Sequence, residues 1–173
     1  MAEAHASPLR PGLPWRLITF GLALVAGGAQ AAGRDLHLEW EDRCAECHGH
    51  AGAFARDRLA VVDGVLTSDH WGSDLGRFLA NHHTSPATLE PFIAMLSAQA
   101  TTPPIYASNC AGCHGAAAAL VKTDVVRRDG RLFGAANQRP LDVFLQRHGG
   151  RDADELPVVL ERLERLYEEV GGR

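Results

Sequence analysis

The chain has 173 residues, 46% of them hydrophobic and 22% charged, with 17 Lys+Arg against 21 Asp+Glu for a formal charge of −4. That length holds one ordinary domain or two very small ones. With Lys122 the single lysine and no basic patch, the composition excludes the electrostatic footprint of a nucleic-acid binder.

Residues 1–31 read as an export signal rather than as fold. Arg10 and Arg16 form a basic flank, and Leu17 to Ala29 is an apolar run of about 13 residues, well short of the ~20 that span a bilayer. Ala29-Gln30-Ala31 supplies a small-x-small cleavage site before Ala32. The expected mature protein is periplasmic, with no transmembrane segment. Loss of Arg10, Arg16 and Glu3 leaves 15 basic and 20 acidic residues, a charge of −5. A mildly acidic surface can steer a protein toward a basic partner face.

A first helix is predicted from near Leu38 into Cys44-Ala45-Glu46-Cys47-His48, stopping at Gly49. The same five-residue pattern returns as Cys110-Ala111-Gly112-Cys113-His114, preceded by a helix from near Ile105. These four cysteines are all the chain has. In an exported protein an even cysteine count normally reads as disulfides, and paired Cys-x-x-Cys also matches a zinc site. Neither explains a histidine directly after each pair. Two thiols at this spacing can bond the vinyl groups of one haem while the adjacent histidine ligates its iron. Two covalent haem c groups are therefore expected, held by Cys44 and Cys47 and by Cys110 and Cys113, with His48 and His114 as proximal ligands.

Laid on itself with Cys44 over Cys110 and without gaps, the chain matches at 16 of 56 positions between Cys44–Gln99 and Cys110–Arg165. The matches include Asp63-Gly64 with Asp129-Gly130, Phe78-Leu79 with Phe144-Leu145, and His82 with His148. Trp40 and Tyr106 each lie four residues ahead of a first cysteine; both are placed to pack on a haem edge. The repeat predicts two units, 32–99 and 100–173, joined by a linker over Ala98 to Pro104, where Pro103-Pro104 interrupts helix. Within each unit Asp-Gly marks a turn. Short helices are predicted over Asp74–Asn81 and Pro140–Arg147. A last helix starts at Ser85-Pro86 in the first unit. In the second it opens on Asp152 and Glu155 as a capping box and carries an apolar stripe from Leu156 to Val170. No strand alternation competes with an all-α reading.

The sixth iron ligand sets the chemistry. Met1 leaves with the signal, and Met95, beside Phe92, Ile93 and Leu96, reads as a core gap-filler. His82 and His148 are the histidines outside the motifs that share the register of the repeat. Each stands in Phe-Leu-x-x-His, at the same interval after its proximal partner. They are the expected distal ligands, with adjacent His83 the main rival in the first unit and His70 a second. Arg56 and Lys122, equivalent and basic, are candidate partners for haem propionates.

By these motifs the mature chain resembles dihaem c-type cytochromes over essentially its whole length. The resemblance implies two tandem, small, cytochrome c-like helical domains, each wrapped around a covalent haem. With two six-coordinate irons, it implies an electron-transfer protein serving an exported oxidoreductase, another cytochrome or a quinol-oxidising membrane complex. The alternative is a haem enzyme or gas-binding sensor, of peroxidase or small-oxyanion reductase type, with one open or displaceable distal site.

Overall fold

The computed structural model describes residues 1, 33–149 and 153–172. The expected signal core, its cleavage site and Asp152 of the expected capping box lie outside them. Seven elements fill the first half: α1 (Leu36–Arg43), α2 (Ala45–His48), α3 (Ala51–Arg58), β1 (Leu59–Val62), β2 (Val65–Ser68), α4 (Leu75–Ala80) and α5 (Leu89–Thr101). The second half repeats them in order: α6 (Ile105–Asn109), α7 (Ala111–His114), α8 (Ala117–Asp124), β3 (Val125–Arg128), β4 (Arg131–Gly134), α9 (Leu141–Phe144) and α10 (Glu155–Glu169). From α2 and α7 onward, equivalent elements begin at the same offset as the two cysteine motifs. Among the described residues no helix is long and apolar enough to cross a membrane.

The two antiparallel hairpins overturn the all-α expectation. Val62 pairs with Val65 and Leu59 with Ser68; Arg128 pairs with Arg131 and Val125 with Gly134. Their cause is local. Asp63 and Gly64 have φ of 50° and 79°, and Asp129 and Gly130 have 47° and 75°, the two positive angles of the I′ turn that matches strand twist. Asp-Gly flanked by Leu59-Ala60-Val61-Val62 or Val125-Val126 is thus a hairpin signal, not merely a turn.

Other boundaries also move. The last helix of the first half starts at Leu89, not Ser85, because the Thr88 and Leu89 amides bond the Ser85 carbonyl at 3.0 Å and hold residues 85–88 as a turn. Ser85 and Thr88 hydroxyls meet at 2.9 Å there. Helix α10 begins at Glu155 after Asp154, which makes no side-chain cap bond. The expected linker from Ala98 is helical to Thr101, so the break is confined to Thr102-Pro103-Pro104.

Each half has its own apolar cluster. In the first, Leu36 and Trp40 of α1, Ala55 of α3 and Phe92, Met95 and Leu96 of α5 are buried together. In the second, Val121 of α8 packs with Leu132, Leu141 and the α10 stripe Val159, Leu163 and Leu166. Between them runs a polar seam. Asp35 caps α1 by accepting from the Leu38 amide at 2.9 Å and reaches the Lys122 ammonium of α8 at 2.7 Å. His37 lies 2.8 Å from Glu169, which Arg165 approaches at 3.2 Å.

Both motif helices end on glycine in backbone that other residues avoid. Gly49 has φ 66° and ψ −155°, and Gly115 has φ 67° and ψ −146°, close to a region that is essentially glycine-only. Nothing lies within 4 Å of a Cβ built at either position, so the cost of substitution is backbone strain alone. Gly49→Ala and Gly115→Ala are each expected to lower stability by about 1–3 kcal/mol, read as a shift of the urea midpoint.

The seam gives a pH-dependent test. Burial alone would raise the Asp35 carboxyl, but the Lys122 ammonium and the Leu38 N–H outweigh it and hold it below its ordinary value. A carboxyl held low contributes stability that is present at neutral pH and lost as pH falls through its folded value. Asparagine caps a helix as well as aspartate, so Asp35→Asn removes chiefly the Lys122 pair and is expected to cost up to about 1 kcal/mol at pH 7. In urea titrations its deficit should narrow as pH falls below the ordinary aspartate range, since the folded carboxyl is held lower still.

Candidate functional site

The motif cysteines and histidines are positioned by one repeated device. At Cys44 and Cys110 the backbone leaves the preceding helix, with φ −123° and −122°, then resumes for a single turn. The amide of Cys44 bonds the Trp40 carbonyl at 2.8 Å and that of His48 bonds the Cys44 carbonyl at 2.9 Å. In the second half Cys110 bonds Tyr106 at 2.9 Å and His114 bonds Cys110 at 3.0 Å. One helical turn brings a cysteine at i and another at i+3 to the same side. Gly49 and Gly115 then turn the chain away, so that each histidine stands at a helix end.

Each motif opens on a cavity. The first, about 510 Å³, is lined by Cys44, Cys47, His48 and His82 among aromatic and aliphatic side chains that include Trp40 and Phe54. The second, about 450 Å³, has Cys110, Cys113, His114 and His148 on its wall with Tyr106 and Leu120. Both volumes suit a cofactor site, for which about 300–1,000 Å³ is usual. All eight residues expected from the sequence thus line two cavities, four to each. No thiol is in a disulfide; Cys47 and Cys113 are exposed and Cys44 and Cys110 half-buried. Burial pushes the Cys44 thiol up from its ordinary value.

Across the first cavity the His48 and His82 ring centroids are 6.1 Å apart, and across the second His114 and His148 are 5.8 Å apart. Trans imidazoles bound to one metal at about 2 Å on either side place their centroids roughly 6 Å apart. Both pairs therefore have the spacing of axial ligands. Among the described residues no three His, Cys, Asp or Glu converge as a site for a bare ion. Two opposed imidazoles fit a planar group that brings its own equatorial donors. Tyr106 adds a further sign of fit. Its hydroxyl is buried with no hydrogen-bond partner on the wall of the second cavity, and burial, with a smaller contribution from Cys110, pushes its pKa up to about 12.

His82 and His148 are oriented by stacking. Phe78 lies on His82 at 4.5 Å and 25°, and Phe144 on His148 at 4.5 Å and 26°. Phenylalanine four residues before histidine puts both on one side of a helical turn; this is what the repeated Phe-Leu-x-x-His achieves. The rivals are separated by backbone. His83 adopts φ 56° and its carbonyl accepts from Arg43 at 3.2 Å, and it does not line the cavity. His70 does, but edge-on to Trp71 at 4.8 Å rather than against His48. Met95 is 1% exposed within the first apolar cluster and absent from the cavity wall.

The candidate propionate partners are placed elsewhere. Lys122 pairs with Asp35, and Arg56 lies beside Gln99 near the seam, its Nη1 out of solvent and without a partner. Arg58, which sequence reasoning passed over, is the arginine on the first cavity wall; its counterpart in the second is Asp124. The last helices hide a further detail. Phe92 and Leu96 face the first cavity, while Val159 and Leu163 face the second. These pairs are offset by one position more than the cysteine motifs are, so ungapped comparison fades there.

No protein-family model, curated protein or solved structure matches the chain.

Proposed function

We propose that the protein is an exported, periplasmic dihaem c-type cytochrome that passes electrons between redox partners. What carries the reading is the double juxtaposition just described: each Cys-x-x-Cys-His lies on a cavity whose far wall supplies a second histidine at axial-ligand spacing. Haem bound in each cavity would supply a reversible one-electron couple at its iron.

The residues would divide the work as follows. Cys44 and Cys47, and Cys110 and Cys113, hold the groups by thioether bonds. His48 with His82, and His114 with His148, would ligate the two irons. The aromatic and aliphatic walls exclude water and keep reorganisation small. Two imidazoles imply a lower potential than a histidine–methionine pair in comparable surroundings. Partners on this reading are an exported oxidoreductase, another cytochrome or a membrane complex that oxidises quinol.

Expression with the haem-attachment machinery should yield two covalent haems per chain by pyridine haemochrome, with a wholly low-spin spectrum lacking the methionine-sulfur charge-transfer band. His148→Ala should turn one haem high-spin and leave the other low-spin. His82→Ala should do the converse, whereas His83→Ala should leave both spectra unchanged. A high-spin band or a carbon monoxide shift in the native reduced protein would instead support the haem enzyme or gas sensor.

A further inference from the structure

The seam between the halves holds more positive charge than it pairs. Arg56 comes to it from α3, and Arg162 and Arg165 come from α10, three residues apart and so on one side of that helix. The buried carboxylate they meet is Glu169, 7% exposed. One of its oxygens is taken by His37 at 2.8 Å; Arg165 Nε lies 3.2 Å from the other but is not aligned to donate to it. Lys122 is balanced by Asp35. Nε and Nη1 of Arg162 and Nη1 of Arg56 are out of solvent with no hydrogen-bond partner. Gln99, beside Arg56, is 2% exposed and its Oε1 is unpartnered as well. Burial pushes the Arg162 pKa below its ordinary value, and the like charges of Arg165 and Arg56 push the same way, with Glu169 opposing them.

These groups border a smaller cavity of about 230 Å³. Glu161, Arg162 and Arg165 of α10 wall it on one side, and Thr101, Thr102 and Pro103 at the break after α5 wall it on the other. It shares no lining residue with the two motif cavities. Arg165 reaches the opposite wall, its Nη2 lying 3.4 Å from Thr102 Oγ1, which itself donates to the Ala98 carbonyl. Glu161 is exposed and in no ion pair among the described residues. Even with Glu161 counted, three arginines stand against two carboxylates. An ion taken out of water is held at low cost only by a partner, and water supplies hydrogen bonds without balancing the charge. The space is smaller than the roughly 300–1,000 Å³ usual for organic ligands. Guanidinium forks match the oxygens of a tetrahedral oxyanion.

We infer that this cavity is an anion site, taking a small tetrahedral oxyanion such as inorganic phosphate or sulfate between Arg162 and Arg165, with Arg56 adding charge from α3. The bound ion ties α10 of the second half to the end of α5 in the first. The inference is independent of what fills the two motif cavities.

The test follows urea unfolding of the full chain, carrying its covalent groups, by circular dichroism. Inorganic phosphate is the probe, and chloride at matched ionic strength is the control. Phosphate is expected to raise the midpoint with saturation, the unfolding equilibrium constant falling about a hundredfold when phosphate exceeds its Kd a hundredfold. Isothermal titration into the folded protein should give one site per chain, and sulfate should compete. Arg162→Gln and Arg165→Gln should each abolish the saturable response. In chloride alone Arg162→Gln should be no less stable than wild type, because it removes an unpaired buried cation. Arg128→Gln, on the second hairpin, should keep the full response. A midpoint rise as large in chloride, or a phosphate response that survives in both α10 variants, overturns the inference; general exclusion of these anions from protein surface would act on every variant alike. Phosphatidylglycerol vesicles that carry down the wild type but not Arg162→Gln, with phosphate competing, would assign the cavity to a lipid headgroup and overturn the free-ion site.

Discussion

Each half of this chain folds around a buried apolar cluster that also walls an open cavity, and most of its architecture follows from that. Buried residues, among them Trp40, Phe92 and Leu96 or Tyr106, Val159 and Leu163, form walls of cavities of about 510 and 450 Å³. Around each cavity the chain places two thiols and two imidazoles among aromatic and aliphatic side chains.

The cysteines and histidines that line the two cavities were legible in the sequence as a set because they obey two strict spacings, one within the motif and one between its copies. Spacing favoured His82 but left adjacent His83 as its rival, and the structure sets the two apart. Phe78 four residues earlier stacks on His82, whereas His83 is turned out by a left-handed backbone and tied to Arg43 through its carbonyl. The glycine after each motif was readable as a helix stop. Its φ/ψ shows why glycine is favoured there.

The hairpins were not read from the pattern, since four-residue strands next to helices leave too short a window for period-2 alternation to stand out. Their signal lay in Asp-Gly with apolar flanks. The start of α5 is hard to read because Ser85-Pro86 carries the marks of a cap while its carbonyl is engaged in a separate turn. Arg58 and Trp71 escape notice for a different reason. Both sit where the halves differ, the second copy having Asp124 and Asn137 there, and a repeat highlights only what it shares. Duplication made the common frame visible in sequence; the divergence between the copies emerged only from burial and stacking.

The polar seam has a consequence for the order in which the molecule is assembled. Gly33 abuts Gly171, with a Cβ at position 33 falling 2.9 Å from the Gly171 Cα, while Asp35 and His37 reach Lys122 and Glu169. Residues 33–37 therefore find their partners in α8 and at the end of α10. The N-terminal end of α1 cannot complete its polar contacts until α8 and α10 exist, whatever the first half has already built around its own cavity. Closure of this ring of contacts thus follows the synthesis of α8 and α10, and it joins the two halves by charge rather than by a continuous apolar core.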